Sequence, residues 1–192
     1  MVGSSDKQVT LRVNRNALMP DSHSIYNPGS FIEPTFVLDY DQDPIQQILK
    51  DVDPSTSSFS PLLSVVSLVD SWIPIKNRKR AFDIASKVAD TGEGDCTEHS
   101  VLLGAVSRAL GHPAKVVIGI VIIGLEDAPA AFGHAWNEIY VDGHWQLADA
   151  ALHNIDHPVF YIPTGTLDNE GPGFSLSLFN AVSKFPQQIV IK

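Results

Sequence analysis

A cysteine, a histidine and an aspartate in this chain are of the types that act as nucleophile, general base and orienting carboxylate. Cys96 is the only cysteine among the 192 residues, so no disulfide can form within the chain. A lone cysteine is most often a small buried hydrophobic residue, and its surroundings must indicate a chemical role. Cys96 lies at the predicted start of a helix, where the helix dipole favours the reactive thiolate. A thiolate in that position can attack a carbonyl carbon when a histidine lies beside it.

The helix that carries Cys96 has sequence signals at both ends. Asp95 is of a type preferred as an N-cap, and Glu98 follows three residues later, as in a capping box. Gly111 and Pro113 indicate where the helix ends. The apolar residues between these signals recur at helical spacing, and they are Val101, Leu102, Ala105, Val106, Ala109 and Leu110.

A predicted β-hairpin follows this helix in the sequence. The pair Asp142-Gly143 is a strong signal for a two-residue turn, and it joins strands predicted at 133–141 and 144–150. Counting outward from such a turn sets Trp136 opposite Asp149. A loop of odd length would move Asp149 to the other face, so this register is a testable prediction.

The register places His134 close to the aspartate of the hairpin. His134 and Asp149 become diagonal neighbours with backbones about 7–8 Å apart, which is within side-chain reach. A carboxylate there can hold the tautomer of the imidazole and stabilise its charged form. Trp136 shares this face of the hairpin, and we expect the face to pack on the Cys96 helix and bring imidazole to thiol.

Three blocks of this sequence resemble the transglutaminase-like superfamily. Residues 94–99 read Gly-Asp-Cys-Thr-Glu-His and, with the stretch up to Lys115, resemble the cysteine block of that family. Residues 132–141 resemble its histidine block, and residues 142–145 together with Asp149 resemble its aspartate block. The three blocks occur in the family's order and cover about residues 92–151.

The resemblance implies a papain-like fold core and an acyl-transfer chemistry. It implies that Cys96 is the nucleophile, His134 the general base and acid, and Asp149 the residue that orients the imidazole. The family often has an apolar residue at the position of His112 and arginine at the position of Lys115. These departures remove no catalytic group, and they concern substrate preference.

The order of predicted elements gives the fold class. Helices precede a mostly antiparallel sheet, which is typical of an α+β protein with N-terminal helices packed on the sheet. We expect an N-terminal extension over residues 1–60 and a catalytic core over residues 61–192. Helices are predicted at 45–50, 61–73 and 81–89, and strands at 9–13, 36–40, 114–124, 159–162 and 188–191, besides the Cys96 helix and the hairpin.

Four further residues or groups are candidates for roles in the cleft. The backbone N–H of Cys96 is unpaired at a helix start and is the first candidate for an oxyanion donor. The indole N–H of Trp72 is a second candidate, although packing in the core is the more common role for such a residue. Trp136 can form a wall of the cleft. His99 can line the cleft or, with Cys96, ligate zinc.

Charge and hydropathy argue against nucleic-acid binding and against a membrane-spanning segment in this sequence. The net charge is −9, from 13 basic and 22 acidic residues, whereas nucleic-acid binders usually have a basic excess. Lys76 and residues 78–80 form the basic cluster of the sequence, which is typical of a solvated loop. No apolar run reaches the roughly 18 residues of a membrane span.

The sequence supports one leading hypothesis and three alternatives. The leading hypothesis is hydrolysis of a peptide-like amide through an acyl-thioester on Cys96, with a peptide or protein substrate and no cofactor. The alternatives are acyl transfer to an amine, a non-catalytic peptide-binding module of the same fold, and a zinc hydrolase using Cys96, His99 and His134. Residues 1–44 are the candidate for a segment that occludes the cleft.

The sequence does not decide the oligomeric state or the cellular location. A complete chain without a leader would be cytoplasmic, whereas an excised domain would be compatible with a periplasmic or extracellular location.

Overall fold

The structure is a computed structural model that describes residues 27–52, 59–77, 82–124 and 129–189. The strand predicted at 9–13, residues 78–80 of the basic cluster and the last residues of the strand predicted at 188–191 lie outside these ranges. Within them, no helix combines the length and the hydropathy that crossing a membrane requires.

Five α-helices and six β-strands make up the described chain. The helices are α1 (Asp43–Leu49), α2 (Phe59–Trp72), α3 (Ala85–Thr91), α4 (Cys96–Ala109) and α5 (Phe174–Val182). The strands are β1 (Ile75–Lys76), β2 (Glu93–Gly94), β3 (Ala114–Ile123), β4 (Ala130–Val141), β5 (His144–Ala148) and β6 (Val159–Thr166). The helices predicted from the sequence correspond to α1 to α4, and α5 was not predicted.

Local sequence accounts for the ends of the helices. A proline in the first turn of α1 starts that helix, since its fixed φ suits the first helical positions. Gly92 ends α3 in a left-handed conformation with φ of 61°, which glycine adopts without the penalty of a side chain. The short strand β2 follows α3 and pairs in parallel with β1. One residue separates the end of β2 from the start of α4.

The main sheet has four strands in the order β5-β4-β3-β6, and every pairing is antiparallel. Most of β3 is buried, as expected for a central strand rich in β-branched residues. Helix α4 packs against β4 and β3, and the helices α1 to α3 surround it. The α+β class predicted from the sequence, with helices packed on a mostly antiparallel sheet, is confirmed.

The face of the sheet that α4 covers differs from the prediction. The amide of Asn137 donates a hydrogen bond to the carbonyl of Ser100 on α4 at 2.9 Å. Ile139, two residues further along β4, lies in the same hydrophobic core as Leu102 of α4. Successive side chains of a strand alternate in direction, so Trp136 points to the opposite face. The prediction that the face of Trp136 packs on the Cys96 helix is therefore wrong.

The strand predicted at 36–40 is also wrong. Val37 and Leu38 are buried, but they lie in an irregular segment that pairs with no strand of the described chain. The Val37 N–H donates to the carbonyl of Glu170 at 3.0 Å, and the Val37 carbonyl accepts from the N–H of Ala85 at 2.9 Å. These contacts satisfy the buried backbone without a sheet.

Gly119 in the middle of β3 permits the close packing of its neighbours. A Cβ atom at this position would lie 2.2 Å from the carbonyl oxygen of Ile162 and 2.7 Å from the ring of Trp136. We expect Gly119→Ala to lower the free energy of unfolding by about 3 kcal/mol, because β6 and the tryptophan cannot both withdraw. Urea unfolding monitored by circular dichroism measures the change.

Gly124, next to the end of β3, offers a matched control. A Cβ atom there would meet its neighbours at 3.7 Å or more, an ordinary contact distance. Gly124→Ala is expected to shift the urea midpoint far less than Gly119→Ala. Equal midpoints for the two variants would contradict the packing argument.

Candidate functional site

Cys96 is the first residue of α4, as the sequence predicts. The Asp95 carboxylate accepts hydrogen bonds from the backbone N–H of Thr97 at 3.0 Å and from its hydroxyl at 2.9 Å. The Glu98 carboxylate accepts from the N–H of Asp95 at 2.9 Å, which completes the capping box. The thiol of Cys96 is partly buried and lies at the positive end of the helix dipole.

Glu98 holds the loop that leads into the helix. Its side chain is fully buried, and its second carboxylate oxygen accepts from the N–H of Asp83 at 3.1 Å. Burial raises the pKa of Glu98, whereas the backbone hydrogen bonds from Asp95 and Asp83 lower it. Both oxygens therefore accept hydrogen bonds from backbone N–H groups.

We expect Glu98→Gln to lower the free energy of unfolding by about 1–3 kcal/mol. Each oxygen of Glu98 accepts from one backbone N–H. In either orientation of the glutamine amide, its NH₂ group would face one of these N–H groups, so two buried hydrogen-bond donors would oppose each other. The change in the urea midpoint tests this expectation. Asp90→Asn is the control, since that carboxylate is exposed and pairs only at 3.5 Å with the exposed Lys87. Equal stability of Glu98→Gln and wild type would contradict the assigned hydrogen bonds.

The hairpin has the predicted register. Val141 pairs with His144, and the turn residues Asp142 and Gly143 have φ of 53° and 85°. Two positive φ values are typical of a type I′ turn, which matches the twist of the strands. The pairing continues to Ala148. The residue after it therefore reaches the open end of the hairpin.

The structure brings His134 and Asp149 together at that end. The Nε2 atom of His134 lies 2.7 Å from Oδ2 of Asp149, and both side chains are buried. The other carboxylate oxygen accepts from the N–H groups of Ala151 at 2.9 Å and Leu152 at 3.1 Å. These bonds fix the direction in which the carboxylate faces the ring.

Tyr161 is a second partner of this carboxylate that the sequence did not indicate. Its hydroxyl donates to Oδ2 of Asp149 at 2.9 Å. Burial raises the pKa of Tyr161, and the charge of Asp149 raises it further, so the hydroxyl stays a donor. The strand that carries Tyr161 was expected from its composition, but its pairing with β3 was not.

The imidazole of His134 connects the carboxylate with the thiol. Burial lowers the pKa of His134, but hydrogen bonds with Asp149 and Cys96 and their charges outweigh burial and raise it to about 9. Nε2 faces Asp149, so Nδ1 is the ring nitrogen left for the sulfur of Cys96. These two partners therefore favour the imidazolium form of His134 at neutral pH.

Aromatic rings surround the histidine on its face of the sheet. The ring of Trp136 stacks nearly parallel to that of His134 with centroids 6.3 Å apart, and Tyr161 lies 5.1 Å from Trp136. The ring of Phe132 approaches the histidine edge-on, with centroids 6.2 Å apart. Trp136 therefore lies beside the imidazole, and its role as a wall of the cleft stays a prediction.

The indole N–H of Trp72 is engaged away from the thiol. It donates to the backbone carbonyl of Ala89 at 2.9 Å, which joins the end of α2 to α3. Nothing in this geometry supports the expectation that Trp72 donates to an oxyanion. The N–H of Cys96 remains among the first-turn N–H groups that lack a partner within their own helix.

His99 is buried in the helix behind Cys96. Its Nδ1 atom lies 2.6 Å from the carbonyl oxygen of Asp95, and Nε2 lies 3.7 Å from a carboxylate oxygen of Asp70. Burial lowers the pKa of His99, which favours the neutral ring. In the described part of the chain, no group of three or more His, Cys, Asp and Glu side chains is arranged to hold a metal ion. The zinc alternative requires such a group.

Comparisons with known proteins agree with the architecture. A family model described as the transglutaminase-like superfamily matches residues 53–150, just over half of the chain. No curated protein matches the sequence. A crystal structure described as "a putative cysteine protease" from Cytophaga hutchinsonii superposes with a TM-score of 0.54 at 18% sequence identity. The superposition covers 77% of this chain and 59% of that one.

The two comparisons bear on different properties. At 18% identity the superposition establishes the fold alone, and it confirms the papain-like α+β core. The family model includes the cysteine, histidine and aspartate blocks and confirms the resemblance seen in them. This chain belongs to the transglutaminase-like superfamily.

Proposed function

We propose that this chain is an acyl-transfer enzyme that hydrolyses a peptide-like amide through Cys96, His134 and Asp149. The observation that carries the proposal is the imidazole of His134, which lies 2.7 Å from Asp149 and interacts with the thiol of Cys96. The order sulfur, imidazole, carboxylate is that of a nucleophile, a general base and an orienting group.

The chemistry follows in two steps. The thiolate of Cys96 attacks the amide carbon, and the backbone N–H of Cys96 stabilises the oxyanion that forms. The imidazolium of His134 gives its proton to the leaving amine as the carbon–nitrogen bond breaks. Neutral His134 then takes a proton from a water molecule, whose oxygen attacks the acyl-thioester. The acid product and the thiolate result, with His134 protonated again.

Asp149 acts by holding the ring of His134. It keeps the proton on Nε2, so that Nδ1 faces the sulfur in the tautomer that the reaction needs. Tyr161 and the N–H groups of Ala151 and Leu152 hold the carboxylate in turn. Because these hydrogen bonds fix the carboxylate, it does not need to reorient when the imidazole gains or loses its proton.

Transfer to an amine is the second candidate, because the chain belongs to the transglutaminase-like superfamily. Water is always present and the described residues show no evident amine site, so hydrolysis is the first choice. Mass spectrometry of the products from one peptide amide, with and without a primary amine in excess, separates the two. An amide product of the added amine in place of the acid would favour transfer.

The rate at which iodoacetamide alkylates the protein tests the proposal. A free thiol with a pKa of about 8.5 is only a few per cent ionised at pH 7, whereas a thiolate paired with an imidazolium is largely ionised. Because the chain has one cysteine, all alkylation reports Cys96. We expect the second-order rate constant at pH 6.5 to exceed that of glutathione at least about ten-fold.

The His134→Asn variant is the matched control for this measurement. It keeps a polar side chain at the position but cannot carry the imidazolium charge, so its rate is expected to approach that of glutathione. A wild-type rate equal to that of glutathione, unchanged by His134→Asn, would refute the proposal.

A further inference from the structure

The strand that carries His134 has one edge without a neighbouring strand beside the site. Strand β4 (Ala130–Val141) pairs with β3 along its whole length, but β5 pairs only with residues 137–141. On that second edge, residues 130–136 pair with no strand of the described chain. The accessible part of this unpaired edge lies just before His134, because the residues from His134 to Ile139 are buried.

Alternation along β4 identifies the backbone groups at this edge. The N–H of Tyr140 donates to the carbonyl of Pro113, which precedes β3, at 2.8 Å, so even-numbered residues direct their polar groups toward β3. The pairing with β3 runs without a register shift from residue 139 to residue 130. The N–H and C=O groups of Ala131 and Gly133 therefore point away from β3, and both residues are exposed.

This edge lacks the devices that usually protect an exposed strand. Residues 131–133 carry no charge and no proline, and the register of β4 with β3 has no bulge there. A Cβ atom at Gly133 would lie 2.7 Å from the ring of Phe185, so that ring packs closely on the strand at this position. The exposed ring of Phe132 adds an apolar flank beside His134.

We propose that an extended peptide, the acyl donor of the reaction, adds to β4 as a further strand through Ala131 and Gly133. The inference rests on the proposed function. A peptide aligned with residues 131–133 continues past His134, the residue that interacts with Cys96, so a carbonyl of its next residues lies beside the thiol. Backbone hydrogen bonds supply the affinity, and the flank formed by Phe132 favours an apolar side chain.

A scan of N-methylated probes tests this mode of binding. The parent probe is a five-residue peptidyl vinyl sulfone of alternating alanine and leucine, and each analogue carries one N-methyl group at a successive position. The second-order rate of Cys96 labelling is measured by mass spectrometry. Donors that face the edge alternate along an added strand, so methylation at alternate positions is expected to slow labelling about five- to fifty-fold.

A protein variant gives a second measurement. Ala131→Pro removes an N–H at the unpaired edge without removing a bond to β3, whereas Ala131→Val keeps the N–H. The ratio of the peptide-probe rate to the iodoacetamide rate is expected to fall about five-fold or more in Ala131→Pro relative to Ala131→Val. The N-methyl scan on the wild-type protein decides the question if the proline variant does not fold.

The outcomes separate this inference from the proposed function. Rapid alkylation by iodoacetamide together with equal labelling by all methylated probes would overturn strand addition and leave the enzyme intact. Slow alkylation by iodoacetamide would overturn the proposed function itself. A third outcome combines equal labelling rates for all methylated probes with self-association in gel filtration that Ala131→Pro abolishes. It would assign the edge to a second copy of this chain and overturn the inference.

Discussion

Alanine in place of Cys96 is expected to lower the rate of amide hydrolysis by about 10⁴-fold or more. The substitution removes the atom that forms the acyl-thioester in the proposed mechanism, and the chain contains no second cysteine to replace it. Asp95 and Glu98 form the cap of α4 with their own side chains and the backbone, so the helix start does not depend on the thiol. The loss is therefore expected in activity, with little change in stability.

Turnover of a fluorogenic peptide amide, chosen from a library for hydrolysis by the wild-type protein, measures this loss. The urea midpoint of the variant shows whether the fold is retained. Ser107→Ala is a matched control on the same helix, because that buried hydroxyl has no hydrogen-bond partner in the described chain and lies away from the thiol. Hydrolysis by Cys96→Ala at the wild-type rate would exclude the thiol from the reaction.

The parts of the site that could be predicted depend on residues close together in the sequence. The capping box of α4 joins Asp95 to Glu98, three residues apart. The turn at 142–143 determines the register of the hairpin, and the register determines which residues lie near His134. Each of these features is local, so the pattern of residue types contains most of the information.

The parts that could not be predicted depend on how distant elements pack. Tyr161 reaches Asp149 because β6 pairs with β3 through contacts such as Ile120 with Ile162, and no local pattern specifies that pairing. The indole N–H of Trp72 donates a hydrogen bond to the carbonyl of Ala89 because α2 and α3 lie side by side. Such contacts follow from the global arrangement of helices and strands.

The side of the sheet covered by α4 is the most informative error. Alternation correctly indicated that His134 and Trp136 share a face, but both faces of β4 are buried from residue 134 to residue 139. A strand buried on both sides carries no sequence signal for which face meets the helix. His134 contacts Cys96 although its strand presents the other face to α4. The contact therefore lies at the edge of the sheet, beside the start of the helix.

Asp149→Asn is expected to lower kcat/KM for the same peptide amide by about 10³–10⁴-fold, the range known for loss of an orienting carboxylate. The asparagine oxygen can still accept from the N–H groups of Ala151 and Leu152. Its NH₂ group would then face Nε2 of His134, which favours the ring tautomer with the proton on Nδ1. That tautomer cannot accept a proton from the side that faces Cys96.

The pH dependence provides a readout that a loss of packing alone would not produce. In the wild-type protein, Asp149 and Cys96 raise the pKa of His134 to about 9 against the effect of burial. The imidazolium is present below that pH and is lost as the pH rises through it, so kcat/KM is expected to fall near pH 9. Without the charge of Asp149, only Cys96 opposes the effect of burial, so the pKa of His134 is lower and the alkaline fall is expected at a lower pH.

Profiles of kcat/KM from pH 5 to pH 10 for the wild-type protein and Asp149→Asn measure this shift. Asp142→Asn is the control on the same hairpin, because asparagine tolerates the positive φ of that turn residue and the site keeps its charges. Its profile is expected to match that of the wild type. If the alkaline fall of Asp149→Asn remained near pH 9, the carboxylate would not be what sustains the charge of His134, and the proposed order of thiol, imidazole and carboxylate would lose its third member.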